Sequence, residues 1–237
     1  TMQSVGNKPR DHRVSYALET LFNLKPPYPA INFEPYYTGW DHEINMPGGE
    51  RPPANSKRDN YFSRAQMYGS VLSGGLSGHV HGTAAYDMTT TGEPAGMRPH
   101  VWDAFKYESA NYMKYLDKFI LSEGKKYQDL TLARKDVQPS KAPGSPEEGL
   151  DGWSYMMRTP KKDFALLYFE NKSVVPVLNN FKPNTEYYFQ WYNTISGEWN
   201  KKIKLKSDVS GSIKLPDFPD EKNPSSRDWA AKIIIVN

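Results

Sequence analysis

Pro29-Ala30-Ile31-Asn32-Phe33-Glu34-Pro35 is a short apolar run that ends on a carboxylate. Its length suits a strand, its composition suits burial, and Pro35 closes it. We read it as a buried strand ending near Glu34. On its N-terminal side, Val14, Ala17, Leu18, Leu21 and Phe22 recur at i, i+3, i+4, i+7 and i+8. That is the apolar stripe of a helix over 12–23, which Lys25-Pro26-Pro27 ends. On its C-terminal side, residues 38–58 are rich in Gly and Pro and read as a long loop, a kind that often carries function.

A helix is expected over 60–73, with Tyr61, Ala65, Tyr68, Val71 and Leu72 on one side and Asn60 or Asp59 as N-cap. Gly74-Gly75 stops it. Residues 77–82 read as a short strand, and 83–99 as another loop. A third helix is expected over 101–122, with Trp102, Phe105, Tyr112, Leu116 and Phe119 on its apolar face and Gly124 as its stop. Helices alternating with strands imply parallel strands joined by crossovers. Two complete strands are visible, or three if residues 1–5 are a strand end.

The pattern changes after residue 125. Runs at 153–158, 164–170, 186–192, 201–206, 212–215 and 232–236 look like short strands separated by turn signals. They suggest an antiparallel β-sandwich. The expected organisation is therefore an α/β part over 1–128 and an all-β part over 129–237.

Composition bounds the function. A complete (β/α)8 barrel takes roughly 250 residues. The 237 residues here therefore cannot hold a whole barrel and a second domain. Net charge is +3, which lends no support to a nucleic-acid partner. Mean hydropathy is −0.75, lean for a globular chain, but 14% aromatic residues argue against disorder. Cysteine is absent, which excludes disulfides, thiolate metal sites and Cys nucleophiles. No apolar run approaches the ~18 residues of a membrane span, and no secretory leader is visible.

Glu34 is the most informative residue. Ligands of α/β folds sit at the C-terminal ends of parallel strands. Here the strand end is followed by Tyr36, Tyr37 and Trp40. A carboxylate beside rings suits sugar chemistry: the acid attacks or moves a proton, and the rings stack on sugar faces. The alternative is an exposed Glu paired with an Arg. His79 and His81, two apart, share one face of a strand. They could hydrogen-bond substrate hydroxyls or barrel carboxylates, or ligate a metal if a third group such as Asp87 joined them. We prefer the first reading and expect no cofactor. Ser77 with His79 lacks the nucleophile-elbow motif, and no phosphate-binding glycine pattern is present. Trp153, Trp191, Trp199 and Trp229 could be β-sheet core or a glycan platform. The Lys201–Lys206 alternation reads as the solvated side of an edge strand.

The stretch 29–37, Pro-Ala-Ile-Asn-Phe-Glu-Pro-Tyr-Tyr, resembles the strand-seven motif of the apiosidase-like glycoside hydrolases. The stretch from Arg64 to Gly82 resembles that family's next helix and strand eight. Met2-Gln3-Ser4 is similar to the end of strand six. Arg158-Thr159-Pro160, the run 164–170, Gln190-Trp191-Tyr192-Asn193 and Gly197-Glu198-Trp199 resemble the C-terminal domain that accompanies these enzymes. That domain carries a collagen-binding label, from which no activity is taken. The resemblance implies the C-terminal part of a (β/α)8 TIM barrel, about strands 6–8, followed by a β-sandwich. It implies that Glu34 is the strand-seven catalytic carboxylate and that Tyr36, Tyr37, His79 and His81 line a sugar pocket, together with Gln3 and Trp40. The expected substrate is an oligo- or polysaccharide, such as a plant or algal side chain, met by a bacterial periplasmic, secreted or cell-surface enzyme. Strands one to five and the second carboxylate have no counterpart here, so an N-terminal barrel fragment or companion chain is expected. Asp41, Glu43 and Asp87 are poor substitutes for that carboxylate. The rival class is a non-catalytic carbohydrate-binding or scaffold protein using the aromatic loop and the Trp residues.

Overall fold

Ala30–Glu34 forms strand β2, which pairs in parallel with β1, Gln3–Gly6. A parallel pair needs a crossover, and helix α1, Arg13–Phe22, supplies it. Val14 and Leu18 of α1 pack on Ala30 of β2, with Leu21 beside them. The computed structural model describes residues 3–6, 12–26, 30–39, 52–83, 101–139, 141 and 150–236, with 3–6 and 101 as backbone alone. It contains two compact units, residues 1–114 and 115–237.

In the first unit, residues 77–83 run parallel to residues 30–38 through two isolated bridges, Asn32 of β2 with His79 and Thr38 beyond it with Thr83. The Ser77 and Val80 amides donate to Ala30 and Asn32 carbonyls at 3.1 Å. The expected strand over 77–82 is thus a bridged segment rather than a regular strand. Gly78, at φ +125°, takes a backbone path that other residues rarely adopt.

Helix α2, Lys57–Val71, is capped by Ser56, whose hydroxyl accepts from the Asp59 amide at 3.2 Å. The expected cap at Asn60 or Asp59 is corrected: Asp59 sits in the first helical turn. From Asp59 to Val71 every side of α2 is buried, not only the apolar side. The polar side is tolerated because it is bonded; Arg64 donates to the Tyr112 hydroxyl at 2.8 Å and lies over that ring.

The expected helix over 101–122 is broken. Helix α3 spans Val101–Ala104, a 3-10 turn spans Glu108–Asn111, and helix α4 spans Tyr112–Ile120. Tyr107 is extended between them. The Glu108 amide meets the Asn55 side chain at 3.4 Å, and Tyr112 bonds Arg64 and Glu108, so tertiary bonds override helical periodicity. Trp102 and Phe105, placed on the apolar face by periodicity, are exposed. After α4 the chain kinks at Glu123 and Gly124.

The second unit is antiparallel throughout. A seven-stranded sheet has the order β10-β8-β12-β6-β5-β3, with β9 beside β8. Its long members are β5 (Ser154–Arg158), β6 (Phe164–Phe169), β8 (Glu186–Asn193), β10 (Ile203–Lys206) and β12 (Trp229–Ile235). Its two-residue members are β3 (Thr131–Leu132) and β9 (Glu198–Trp199). A second sheet joins β11 (Ile213–Lys214), β7 (Val177–Leu178) and β4 (Val137–Gln138). Val137, Leu178 and Ile213 of the small sheet share one core with Leu167, Phe189 and Ile233 of the large one. The opposite face of the large sheet is partly covered by residues 115–129. There Lys232 pairs with Glu123 at 2.7 Å and lies over the Trp199 ring, and Tyr192 donates to the Tyr115 carbonyl.

Candidate functional site

Glu34 stands, half-buried, at the C-terminal end of β2. The β1–β2 register runs Val5 to Asn32 and then Gly6 to Glu34, skipping Phe33. Such an irregularity interrupts the strict alternation of faces and re-aims the side chain that follows it. Asn32, just before it, is fully buried and donates to the Ser70 hydroxyl of α2 at 2.9 Å, while Phe33 is 60% exposed. The placement of Glu34 therefore comes from the bulge and not from simple strand alternation.

The segment after Glu34 is held by one buried carboxylate. Asp59 is 1% exposed. It accepts the Tyr36 hydroxyl at 2.5 Å, the Gly39 amide at 2.9 Å and the Asn55 amide at 2.7 Å. Its place in the first turn of α2 favours the negative charge. Tyr36 also meets Phe62 edge to face at 5.6 Å. Asp59 thereby ties the strand end to α2. Sequence reading took it for a possible cap and missed this role. Ser56-x-x-Asp59, a capping-box pattern, was the available signal.

Tyr37 is buried, and its ring occupies the space that a Cβ on Gly82 would need. Two glycine-dependent approaches therefore frame the loop, since Gly39 at φ +76° also leaves room for Tyr107. His79 is buried beside Asn32, and His81 follows half-buried. Burial, reinforced by the neighbouring His81, pushes the His79 pKa down to about 3. Burial also lowers that of His81. Both imidazoles are neutral at ordinary pH, so each offers one donor and one acceptor. Among the described residues, neither His79 Nδ1 nor His81 Nε2 finds a hydrogen-bond partner. No group of three His, Cys, Asp or Glu that could hold a metal stands together among the described residues.

Glu34, Tyr36 and Tyr37 thus follow one another at the end of β2, and the bridge of Asn32 to His79 sets His79 and His81 on the parallel segment beside it. Gln3 is opposite Ala30 on β1, three positions before the residue paired with Glu34, and only its backbone is described. Trp40, Asp41, His42, Glu43 and Asp87 lie outside the described residues. Of the four tryptophans weighed as a platform, Trp153, Trp191 and Trp229 are buried, and Trp199 is partly so. The Trp191 indole donates to the Asp217 carbonyl at 3.1 Å. They are packing residues, which removes them as a glycan platform. In the second unit a cavity of about 400 Å³ is lined by Lys141, Leu150, Asp151 and Lys172, with both lysines turned onto Asp151. No helix among the described residues is long and apolar enough to cross a membrane.

Parallel strands joined by a helical crossover, with a carboxylate and rings at the strand end, define an α/β arrangement whose candidate site is the C-terminal end of β2. The chain belongs to the apiosidase-like family: its residues 1–126 match that family's catalytic-domain model. A solved structure described as a glycoside hydrolase is similar over 94% of this chain, at 18% identity and TM-score 0.71. A glycoside hydrolase family 5 structure from Bacteroides vulgatus ATCC 8482 is similar over 94% of this chain, at 18% identity and TM-score 0.67. At such identity the likeness concerns fold. The chain spans 46% and 45% of the lengths of those two proteins. A search of curated protein sequences returns no match.

Proposed function

We propose that the chain carries part of the active site of a glycosidase, with Glu34 as a catalytic carboxylate. The observation that carries this is the β2 strand end. In a chain of the apiosidase-like family, the parallel order β1, β2, 77–83 gathers Glu34, two tyrosines and two neutral histidines. In this reading residues 1–128 correspond to about strands six to eight of a (β/α)8 barrel. Residues 129–237 then form a β-sandwich domain. His79 and His81 bind sugar, with Gln3 and Trp40 contributing from the neighbouring strand and loop, whereas Tyr36 and Tyr37, expected to line the pocket, are buried and hold the strand end against α2 and Gly82. The substrate is a side chain of a plant or algal polysaccharide, and the enzyme works in the periplasm, at the cell surface or outside a bacterial cell.

Glycoside cleavage needs two carboxyl groups flanking the bond. One protonates the leaving oxygen, and the other attacks the anomeric carbon or activates water. Glu34 supplies one. The second comes from barrel strands beyond this chain, in the same polypeptide or in a companion. His79, neutral down to about pH 3, is not the proton donor; it binds hydroxyls. The test is intact-mass analysis of the protein purified from its native source. The remaining barrel strands are expected in the same polypeptide or in a tightly bound second chain. A stable 27.1 kDa monomer with no companion would overturn this completion.

A further inference from the structure

Trp102 and Phe105 lie three apart, on α3 and in the turn that follows it. The turn continues the helical path: the Lys106 amide donates to the Asp103 carbonyl at 3.0 Å, and the Tyr107 amide to the Ala104 carbonyl at 3.1 Å. Residues three apart on such a turn share one side. Ala104, between them, is buried, so the turn has an inner and an outer side. Trp102 is 48% exposed and Phe105 77%. Single exposed apolar residues are ordinary, but two large rings on one side of a turn mark a surface that meets something.

The turn is anchored to the segment that carries Glu34. The Tyr107 ring occupies the space that a Cβ on Gly39 would need. The Glu108 amide meets the Asn55 side chain at 3.4 Å, and the Asn55 amide donates to Asp59. Asp59 also accepts from Tyr36 and Gly39, which follow Glu34 in the chain. The composition around the rings is polar. Asp103 and Lys106 interleave with them in sequence and pair at 2.9 Å, with side chains 46% and 74% exposed. Glu108, next along, is exposed too. Charged groups are depleted from the centre of protein–protein contacts, so this surface is a poor match for another chain or for further barrel strands.

We infer that Trp102 and Phe105, flanked by Asp103 and Lys106, form a second sugar-binding subsite, which takes a neutral pyranose unit of the substrate beyond the unit held at Glu34. A pyranose has an apolar C–H face and a margin of hydroxyls. The rings meet the first, and the carboxylate and ammonium groups beside them meet the second. Side chains three apart on a helical turn stand about 5–6 Å apart at Cβ, a spacing that one sugar ring spans. Asp103 and Lys106 cancel in charge and Glu108 adds a negative one, so the surface holds no excess of positive charge to attract an acidic sugar. That the ligand is a glycan rests on the glycosidase reading above.

The test uses the full chain and affinity electrophoresis in gels containing a β-linked galactan, hydroxyethylcellulose, arabinan or polygalacturonate. Retardation is expected with galactan or hydroxyethylcellulose, whose pyranose rings offer a flat apolar face. It should be absent with arabinan, a furanose polymer, and with the charged polymer. It should persist as salt rises, because stacking is not screened. Trp102→Ala and Phe105→Ala should each lose about tenfold in affinity, the worth of one aromatic contact, and Trp102→Tyr should keep most of the binding. Thermal unfolding of Phe105→Ala should match the parent, as for other exposed positions. No retardation by either pyranose polymer overturns the inference, as does full binding by both Ala variants. If Phe105→Ala keeps its binding but loses its hold on a companion barrel chain, the rings are a packing face and the inference falls. A protein that binds galactan through Trp102 but, once completed, never hydrolyses a glycan would sink the glycosidase reading and leave this subsite standing.

Discussion

Asp59 shows how one side chain can set the site. It accepts one hydroxyl and two amides while almost wholly buried. Asp59→Ala leaves three donors without that acceptor, and each buried unsatisfied group has a cost. We expect a loss of about 3 kcal/mol in urea unfolding, against about 1 kcal/mol for Tyr36→Phe. A loss below about 0.5 kcal/mol for Asp59→Ala, the range of ordinary surface changes, would contradict the clamp. His79 makes a second prediction at this scale. Its folded pKa, about 3, lies below its ordinary 6.5. The unfolded chain therefore binds a proton here that the folded chain refuses. The stability due to this group is complete above pH 6.5 and drains away as pH falls toward 3. His79→Gln should flatten the fall in Tm between pH 6.5 and 4. An unchanged slope would mean that His79 is solvated.

At the scale of elements, Lys232 ties β12 to the 3-10 segment that follows α4. It is paired with Glu123 at 2.7 Å, with only 10% of its side chain exposed. Lys232→Ala strands a partly buried carboxylate and removes the contact with Trp199, so we expect about 3 kcal/mol of destabilisation. The double change to Lys232→Met and Glu123→Leu should recover most of it, as apolar replacements of buried pairs do. Failure of that rescue, measured by denaturant unfolding, would show that the charges themselves are required.

The same scale explains what could be read in advance. Strand β2 and helix α1 were legible because an apolar run and a 3.6-residue stripe are local patterns. So were the long strands β5, β6, β8, β10 and β12, each close to an expected run, though β12 begins three residues earlier. The two-residue strands β3, β4, β7 and β9 were not, since a pair of residues has no period and exists only through its ladder partner. The break at 105–107 was hidden for a related reason: no Gly or Pro marks it, and the bonds that stabilise it come from Asn55 and Arg64, some fifty residues away in sequence. The position of Glu34 at the end of β2, and of His79 and His81 on the segment beside it, was legible from the runs 29–35 and 77–82. Asp59 was not, because its three partners meet it only after folding.

For the whole molecule, two units of different architecture lie on one chain, the first matching a catalytic-domain family and the second antiparallel. Solved structures similar to it are more than twice its length. We propose that Glu34 performs chemistry in a barrel completed by strands beyond this chain. The most direct measurement is release of reducing sugar by the completed enzyme, comparing the parent with Glu34→Gln. We expect a loss of about 10³-fold in kcat with thermal unfolding unchanged. Activity of the Glu34→Gln enzyme within about twofold of the parent, far short of any catalytic-group deletion, would contradict it.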